Sequence, residues 1–127
     1  LAGGEVSTAE MSGVVVVNAW ASWCAPCRDE WPVFVAIQKA YPEVNLLGLN
    51  EADDSQAAGD FLSEQDGNWP HISDPNQAIA VKADVVQGSY LPGTIVLDKQ
   101  HRIAAKFIGP VNESDLTRIL EQLLAEN

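Results

Sequence analysis

Residues 14–32 read VVVVNAWASWCAPCRDEWP and join an apolar run to a pair of cysteines. The four valines at 14–17 predict a strand buried on both faces, because a short and fully apolar run suits that environment. Pro26 follows where a helix can begin, since its fixed φ angle and missing N–H cost least in the first turn. Cys24 and Cys27 therefore fall at the junction between a strand and the N-terminus of a helix.

This placement favours thiol chemistry at Cys24. Free backbone N–H groups and the positive end of the helix dipole favour a thiolate there over a neutral thiol. Cys27 lies one helical turn further on, close enough to form a disulfide with Cys24. A thiol of lowered pKa is both a nucleophile at neutral pH and a good leaving group in exchange. The pair is predicted to be redox-active, because a disulfide that spans one turn would stabilise the fold little.

The composition limits the class of protein. The chain has 127 residues, of which 46% are hydrophobic, and this suits one globular domain over residues 1–127. A formal net charge of −11 argues against nucleic acid as a partner, because phosphates would repel it. No apolar run is long enough for a transmembrane helix. The start, Leu1-Ala2-Gly3-Gly4, lacks an initiator Met, so we expect that a signal or anchor segment upstream has been removed.

The remaining periodicities predict alternating strands and helices. Helices are expected at residues 26–41, 55–65, 75–83 and 113–125, with Asp74 and Asn112 as N-caps of the last two. Strands are expected at 14–20, 44–49, 94–97 and 102–108, with a short extended piece at 69–72 and an acidic loop at 50–55. The order predicts an α/β fold in which a central mixed sheet carries helices on both faces.

Residues 21–28, ASWCAPCR, resemble the motif of the thioredoxin superfamily. The detail is closest to its extracytoplasmic branch, the TlpA, ResA and DsbE (CcmG) thiol-disulfide oxidoreductases. Residues 18–22, NAWAS, resemble that branch's lead-in to the cysteines, and residues 91–98, LPGTIVLD, resemble its cis-proline strand. The resemblance covers nearly the whole chain and implies a thioredoxin fold.

The resemblance implies a substrate surface around the cysteines. In this family the proline that matches Pro92 is cis and faces the dithiol, and the peptide at Leu91 would hydrogen-bond an incoming extended segment. The alternative is an ordinary loop proline. Trp23 directly precedes Cys24 and is expected to line the same surface, while the other three tryptophans pack in the core. Gly93 departs from the family, which usually has a larger residue after the proline.

Two further positions match the family by sequence. Thioredoxin has a buried aspartate where this chain has Asn18, which cannot take a proton, so proton handling must fall elsewhere. Glu30, one turn beyond Cys27, matches an acidic residue of ResA-like proteins that tunes the thiol pKa or takes a proton. The alternative is a solvated helix carboxylate. Asp53, and less closely Glu51, resemble an acidic loop residue of the same group, but an ordinary acidic loop is the favoured interpretation. Arg28 could add a positive field near the dithiol, but it is expected to be a solubilising surface residue.

The implied activity is protein thiol-disulfide exchange outside the cytoplasm, with the Cys24–Cys27 disulfide as the only redox group. His71 and His101 do not form a metal-binding set with the cysteines, so neither metal nor organic cofactor is expected. The family implies a reductase of the cytochrome c maturation type. An oxidant of secreted proteins and a redox-inert binding module remain as alternatives.

The expected partners are proteins that carry thiols or disulfides and a redox protein that recycles the dithiol. No nucleic acid is expected, and nothing in the sequence requires more than a monomer.

Overall fold

A computed structural model describes residues 11–74 and 91–126 of the chain. Within these ranges the chain forms β1 (Val15–Trp20), α1 (Ala25–Ala40), β2 (Asn45–Glu51), α2 (Ser55–Glu64), β3 (His71–Asp74), β4 (Gly93–Leu97), β5 (Ile103–Ile108) and α3 (Glu113–Leu124). The helix predicted at 75–83 lies outside the described residues. None of the helices within the described ranges is long and apolar enough to cross a membrane.

The five strands form one mixed sheet in the order β3-β2-β1-β4-β5. β1 pairs in parallel with β2, and β2 pairs in parallel with β3. β4 and β5 run antiparallel, with β4 beside β1. The predicted thioredoxin fold around a mixed sheet is confirmed.

β1 lies at the centre of the sheet and is buried along its whole length. Val16 and Trp20 belong to a core that α1, α2 and α3 build with Trp31, Phe34, Ile37, Phe61, Leu116 and Leu120. Val15, Val17 and Ala19 point to the opposite face and belong to a second core with Leu47, Leu49, Ile95 and Leu97. This double burial explains why the strand is a continuous apolar run instead of an alternating one.

Each described helix begins with a side chain that caps its first turn. Cys24 accepts a hydrogen bond from the Cys27 amide, Asp54 accepts one from the Ala57 amide, and Asn112 accepts one from the Asp115 amide. These bonds satisfy backbone donors that have no partner within the helix. The predicted cap at Asn112 is confirmed.

The prediction of an acidic loop from residue 50 is wrong, because β2 continues to Glu51. Asn50 pairs with Trp20 of β1, and Glu51 pairs with Asp74 of β3, so the ladder of strand pairing extends over these polar residues. Asn50 is 1% exposed and Glu51 is 0% exposed. Asp74 is the last residue of β3, and its predicted role as a helix cap stays a prediction because residues 75–83 lie outside the described ranges.

Candidate active site

Cys24 and Cys27 form a disulfide at the N-terminus of α1, and their Cα atoms lie 5.3 Å apart. Cys24 is the N-cap, and its Sγ accepts a hydrogen bond from the Cys27 amide at 3.2 Å. The first turn of the helix contains no acidic residue, so nothing in that turn neutralises the positive end of the dipole. The predicted junction of strand and helix is confirmed, and its geometry favours a thiolate at Cys24 once the disulfide is reduced.

Trp23 stands beside the disulfide with 55% of its surface exposed, whereas Trp20, Trp31 and Trp69 are buried as predicted. Its indole N–H donates a hydrogen bond to the Ala52 carbonyl at 3.0 Å. Ala52 has a φ of 43°, in the left-handed region that a residue with a side chain rarely adopts. The exposed ring is therefore held against the turn between β2 and α2.

Ser22 is hydrogen-bonded through every polar group that it has. Its amide and its hydroxyl both donate to the Asp53 carboxylate, at 2.7 and 2.8 Å. Its carbonyl accepts from Arg28 Nε at 2.8 Å. The Arg28 guanidinium also lies over the Phe61 ring, 4.8 Å from its centre. Asp53 lies in a loop and Arg28 is exposed, as expected, but both residues also hold the segment before Cys24, which the sequence did not indicate.

Asp53 also accepts hydrogen bonds from the Asn50 side chain at 3.0 Å and from the Asp54 amide at 2.9 Å. Burial raises the pKa of this carboxyl, but the hydrogen bonds from Asn50, Ser22 and Asp54 together outweigh it and hold the pKa below its usual value. Asp53 is therefore a carboxylate at neutral pH.

Glu30 is a buried carboxyl on α1, only 4% exposed, so the interpretation as a solvated helix carboxylate is wrong. Its Oε1 accepts from Asn18 Nδ2 at 3.1 Å, and its Oε2 accepts from the Val111 amide at 2.9 Å. Burial raises the pKa of Glu30 to about 7, although the hydrogen bonds from Val111 and Asn18 act in the opposite direction. A group with this pKa can both accept and release a proton near neutral pH.

Asn18 connects Glu30 to the strand that follows Pro92. Its side-chain amide also donates towards the Gly93 carbonyl at 3.4 Å and the Thr94 hydroxyl at 3.3 Å. An amide at this position satisfies the carboxylate of Glu30 without adding a second acid. The buried carboxyl of this site is therefore on the helix, at Glu30, and the strand carries an amide at Asn18.

The Leu91–Pro92 peptide bond is cis, as the resemblance implies. Pro92 is buried, and its carbonyl accepts from the Gly109 amide at 2.8 Å. Because β4 is antiparallel to β1 and Gly93 pairs with Ala19, Pro92 lies at the sheet edge from which the disulfide loop emerges. Binding of a partner chain by Leu91 stays a prediction.

A surface cavity of about 330 Å³ opens beside Glu30. Its walls include Pro26 at the start of α1 and Val111 before α3. Glu30 therefore lies close to solvent although its own surface is covered, which gives protons a short route to water. Across the described residues no cluster of three histidine, cysteine or acidic side chains is arranged to hold a metal ion.

Comparison with known families and proteins places this site in context. The model of the AhpC/TSA family matches residues 1–106. The thiol:disulfide interchange protein HelX of Rhodobacter capsulatus is 32% identical over 113 residues, which cover 88% of this chain and 61% of that protein. The DsbE homolog of Paracoccus denitrificans is 34% identical, with coverage of 87% and 60%. The chain thus spans about three fifths of the length of these curated relatives.

Solved structures agree with this picture. A secreted thiol-disulfide isomerase from Corynebacterium glutamicum superposes with a TM-score of 0.89 at 36% identity, covering 98% of this chain and 78% of that one. A DsbF homologue from Corynebacterium diphtheriae superposes with a TM-score of 0.85 at 38% identity, with coverage of 93% and 77%.

Proposed function

The chain belongs to the AhpC/TSA family of thioredoxin-like proteins, and from this premise we propose that it is a protein thiol-disulfide oxidoreductase of the DsbE and ResA type. The observation that carries the proposal is the disulfide at the N-terminus of α1, with Cys24 as N-cap and Glu30 buried one turn beyond Cys27. The names of the relatives, which are thiol:disulfide interchange proteins, support it.

In the reducing direction, the Cys24 thiolate attacks one sulfur of a substrate disulfide. A mixed disulfide forms, and the other substrate sulfur leaves as a thiolate. The Cys27 thiolate then attacks Cys24 Sγ, which restores the Cys24–Cys27 bond and releases the second substrate thiolate. Two electrons pass to the substrate, and a redox partner must reduce the pair before the next turnover. The oxidising direction runs the same steps in reverse. No cofactor takes part.

Glu30 is the proposed acceptor of the Cys27 proton. The two side chains are three residues apart on α1 and therefore lie on the same side of the helix. Deprotonation of Cys27 is needed before it can attack the mixed disulfide, and a carboxyl whose pKa is about 7 is suited to that transfer. Asn18 holds the carboxyl in place from β1.

The proposed substrate is an extended segment of another protein that passes between Trp23 and the peptide at Leu91 and Pro92. Trp23 offers an exposed ring on one side of Cys24, and β4 begins at the same edge of the sheet. Action outside the cytoplasm is part of the proposal and rests on the resemblance. The secreted isomerase of Corynebacterium glutamicum supports the location.

Reduction of protein disulfides, as in cytochrome c maturation, is the proposed direction. One feature favours the alternative, an oxidant of secreted proteins. The first turn of α1 lacks an acidic residue, and stabilising the Cys24 thiolate would favour the reduced form and make the protein more oxidising. The equilibrium reduction potential in glutathione or dithiothreitol buffers decides between them. A value near about −270 mV supports the reductase, and one near about −120 mV would establish the oxidant.

Variants of the two cysteines test the exchange reaction itself. We expect Cys24→Ala to abolish disulfide reduction and Cys27→Ser to accumulate mixed disulfides, because only the second variant retains the attacking sulfur. Capture from extracytoplasmic extracts and release with dithiothreitol measure the adducts. Activity in Cys24→Ala would contradict the assignment of the nucleophile.

Tryptophan emission that does not respond to dithiothreitol would favour a redox-inert binding module.

A further inference from the structure

The turn between β2 and α2 is bonded to the segment before Cys24 at two consecutive residues. The Ala52 carbonyl accepts a hydrogen bond from the Trp23 indole N–H, and the Asp53 carboxylate accepts hydrogen bonds from the Ser22 amide and hydroxyl. Ser22 is 7% exposed, so these hydrogen bonds are largely shielded from water. We call residues 51–54 the bracket turn.

Asp53 lies in this turn, and its carboxylate accepts a full complement of four hydrogen bonds. Oδ2 accepts from the Ser22 amide and from Asn50 Nδ2, and Oδ1 accepts from the Ser22 hydroxyl and the Asp54 amide. Four donors saturate a carboxylate, and no neutral side chain of the same size can accept all four. The bracket turn is thereby fixed in the conformation that directs the Ala52 carbonyl at Trp23, including the left-handed φ of Ala52.

Trp23 depends on this arrangement because packing alone does not hold it. More than half of its surface is exposed, and its indole N–H has the Ala52 carbonyl as its acceptor. An exposed ring without a fixed hydrogen bond would sample several rotamers, and a partner chain would have to restrict them on binding.

We infer that Asp53 is a positioning residue for thiol-disulfide exchange, which fixes the Trp23 ring beside Cys24 as a preformed wall for the substrate chain. The inference rests on the proposed function and deepens it. The hydrogen bonds of Asp53 come from Ser22, Asn50 and Asp54, so it acts on substrate binding through Ser22 and the bracket turn. The chemistry at Cys24 itself stays nearly unchanged.

Asp53→Asn tests the inference, with Asp54→Asn as the matched control. Both variants remove one negative charge from the bracket turn, but Asp54 caps α2 through Ala57, and its side chain makes no bond to Ser22. For insulin reduction driven by dithiothreitol, we expect Asp53→Asn to raise KM about tenfold, since the amide turns one acceptor into a donor that faces other donors. The kcat of Asp53→Asn should stay within about twofold of the wild-type value, and so should the KM of Asp54→Asn.

A double-mutant cycle separates positioning from general loss of structure. In the Trp23→Phe background the ring has no N–H to hold, so Asp53→Asn should raise KM less than about twofold. Equal KM values for Asp53→Asn and Asp54→Asn would overturn the inference. A tenfold rise in KM on adding Asp53→Asn in the Trp23→Phe background would also overturn it. If Asp53→Asn does not fold, Ser22→Ala replaces it as the test, because this variant removes only the hydroxyl hydrogen bond to Asp53. A KM raised about threefold supports the inference, and an unchanged KM overturns it.

Hydrogen exchange at the Trp23 indole N–H distinguishes this inference from the proposed function. A wild-type protein that reduces no protein disulfide would contradict the function alone. Faster indole exchange in Asp53→Asn than in Asp54→Asn would still establish that Asp53 holds Trp23, and equal exchange would refute it.

Discussion

At the scale of single residues, the amide of Asn18, in place of an acid, affects the protonation of Glu30. An aspartate at position 18 would face Glu30 at 3.1 Å, and two buried acids would then share one proton. The amide of Asn18 donates instead, so Glu30 is the one acid of this pair. Its pKa of about 7 results from burial that two hydrogen bonds only partly offset.

This assignment predicts how exchange depends on pH. We expect Glu30→Gln to slow resolution of the mixed disulfide by about tenfold to a hundredfold and to remove an inflection near pH 7, because the amide cannot accept the Cys27 proton. Single-turnover kinetics from pH 5 to 9 give the profile. Glu64→Gln makes the same change at an exposed end of α2 and should leave the profile unaltered. An inflection that survives in Glu30→Gln would assign it to another group.

At the scale of elements, β2 and β3 approach each other around a glycine. Gly48 pairs with His71, whose Nδ1 accepts the Trp20 indole N–H at 3.1 Å. A Cβ on Gly48 would overlap His71 Nδ1 and lie 2.9 Å from Trp20 Nε1. Because Gly48 has no side chain, the His71 ring on β3 can reach the Trp20 ring on β1 across β2.

Gly48→Ala is expected to destabilise the fold by about 2 to 3 kcal/mol, since the new methyl group must displace a packed histidine. Gly59→Ala is the control, because nothing lies within 4 Å of its new Cβ. In the middle of α2 it should stabilise the protein by about 0.5 to 1 kcal/mol through helix propensity. Urea unfolding measures both. Equal stabilities for the two variants would contradict the close packing at Gly48.

At the scale of the whole molecule, two buried titratable groups, Glu51 and His71, couple stability to pH. Burial, followed by the neighbouring Asp74, raises the pKa of Glu51 from 4.5 to about 9. The folded protein thus keeps a proton that the unfolded chain releases, and stability falls as pH rises between these values. His71 acts in the other direction, since burial lowers its pKa from 6.5 to about 4 and stability falls as pH drops through that range.

Glu51→Gln isolates the largest of these effects. The wild type is expected to lose about 2 to 3 kcal/mol between pH 7 and pH 9 from Glu51, at 1.36 kcal/mol for each pH unit. Glutamine keeps the shape of the protonated acid and a donor that can face Asp74, so the variant should lack most of this loss. Urea unfolding at pH 5, 7 and 9 measures the difference. Parallel losses in both proteins would place the titrating group elsewhere.

The sequence predicts best where one local pattern has one structural solution. The valines of β1 and the Asn112 cap of α3 are in this class, and so is the position of Cys24 at a helix start. The burial of Glu51 could not be predicted, because β2 continues only where β3 pairs with it. Asp53 was missed for a related reason, since its partner Ser22 lies 31 residues away. The available signals were the match of Asp53 to an acidic loop residue of ResA-like proteins and the Asn-x-x-Asp spacing at the end of a strand.

The covered disulfide has a consequence for kinetics. Cys24 is 4% exposed and Cys27, one helical turn further on, is 1% exposed, so in the proposed exchange both partners react at Cys24. A donor of electrons and an acceptor must therefore visit the same atom in turn. Turnover under the proposed function is therefore a ping-pong sequence in which the electron donor and the electron acceptor compete for access to Cys24. Under the proposed function, the direction of net electron flow then follows from the reduction potentials and concentrations of the two partners, together with the potential of the Cys24–Cys27 pair.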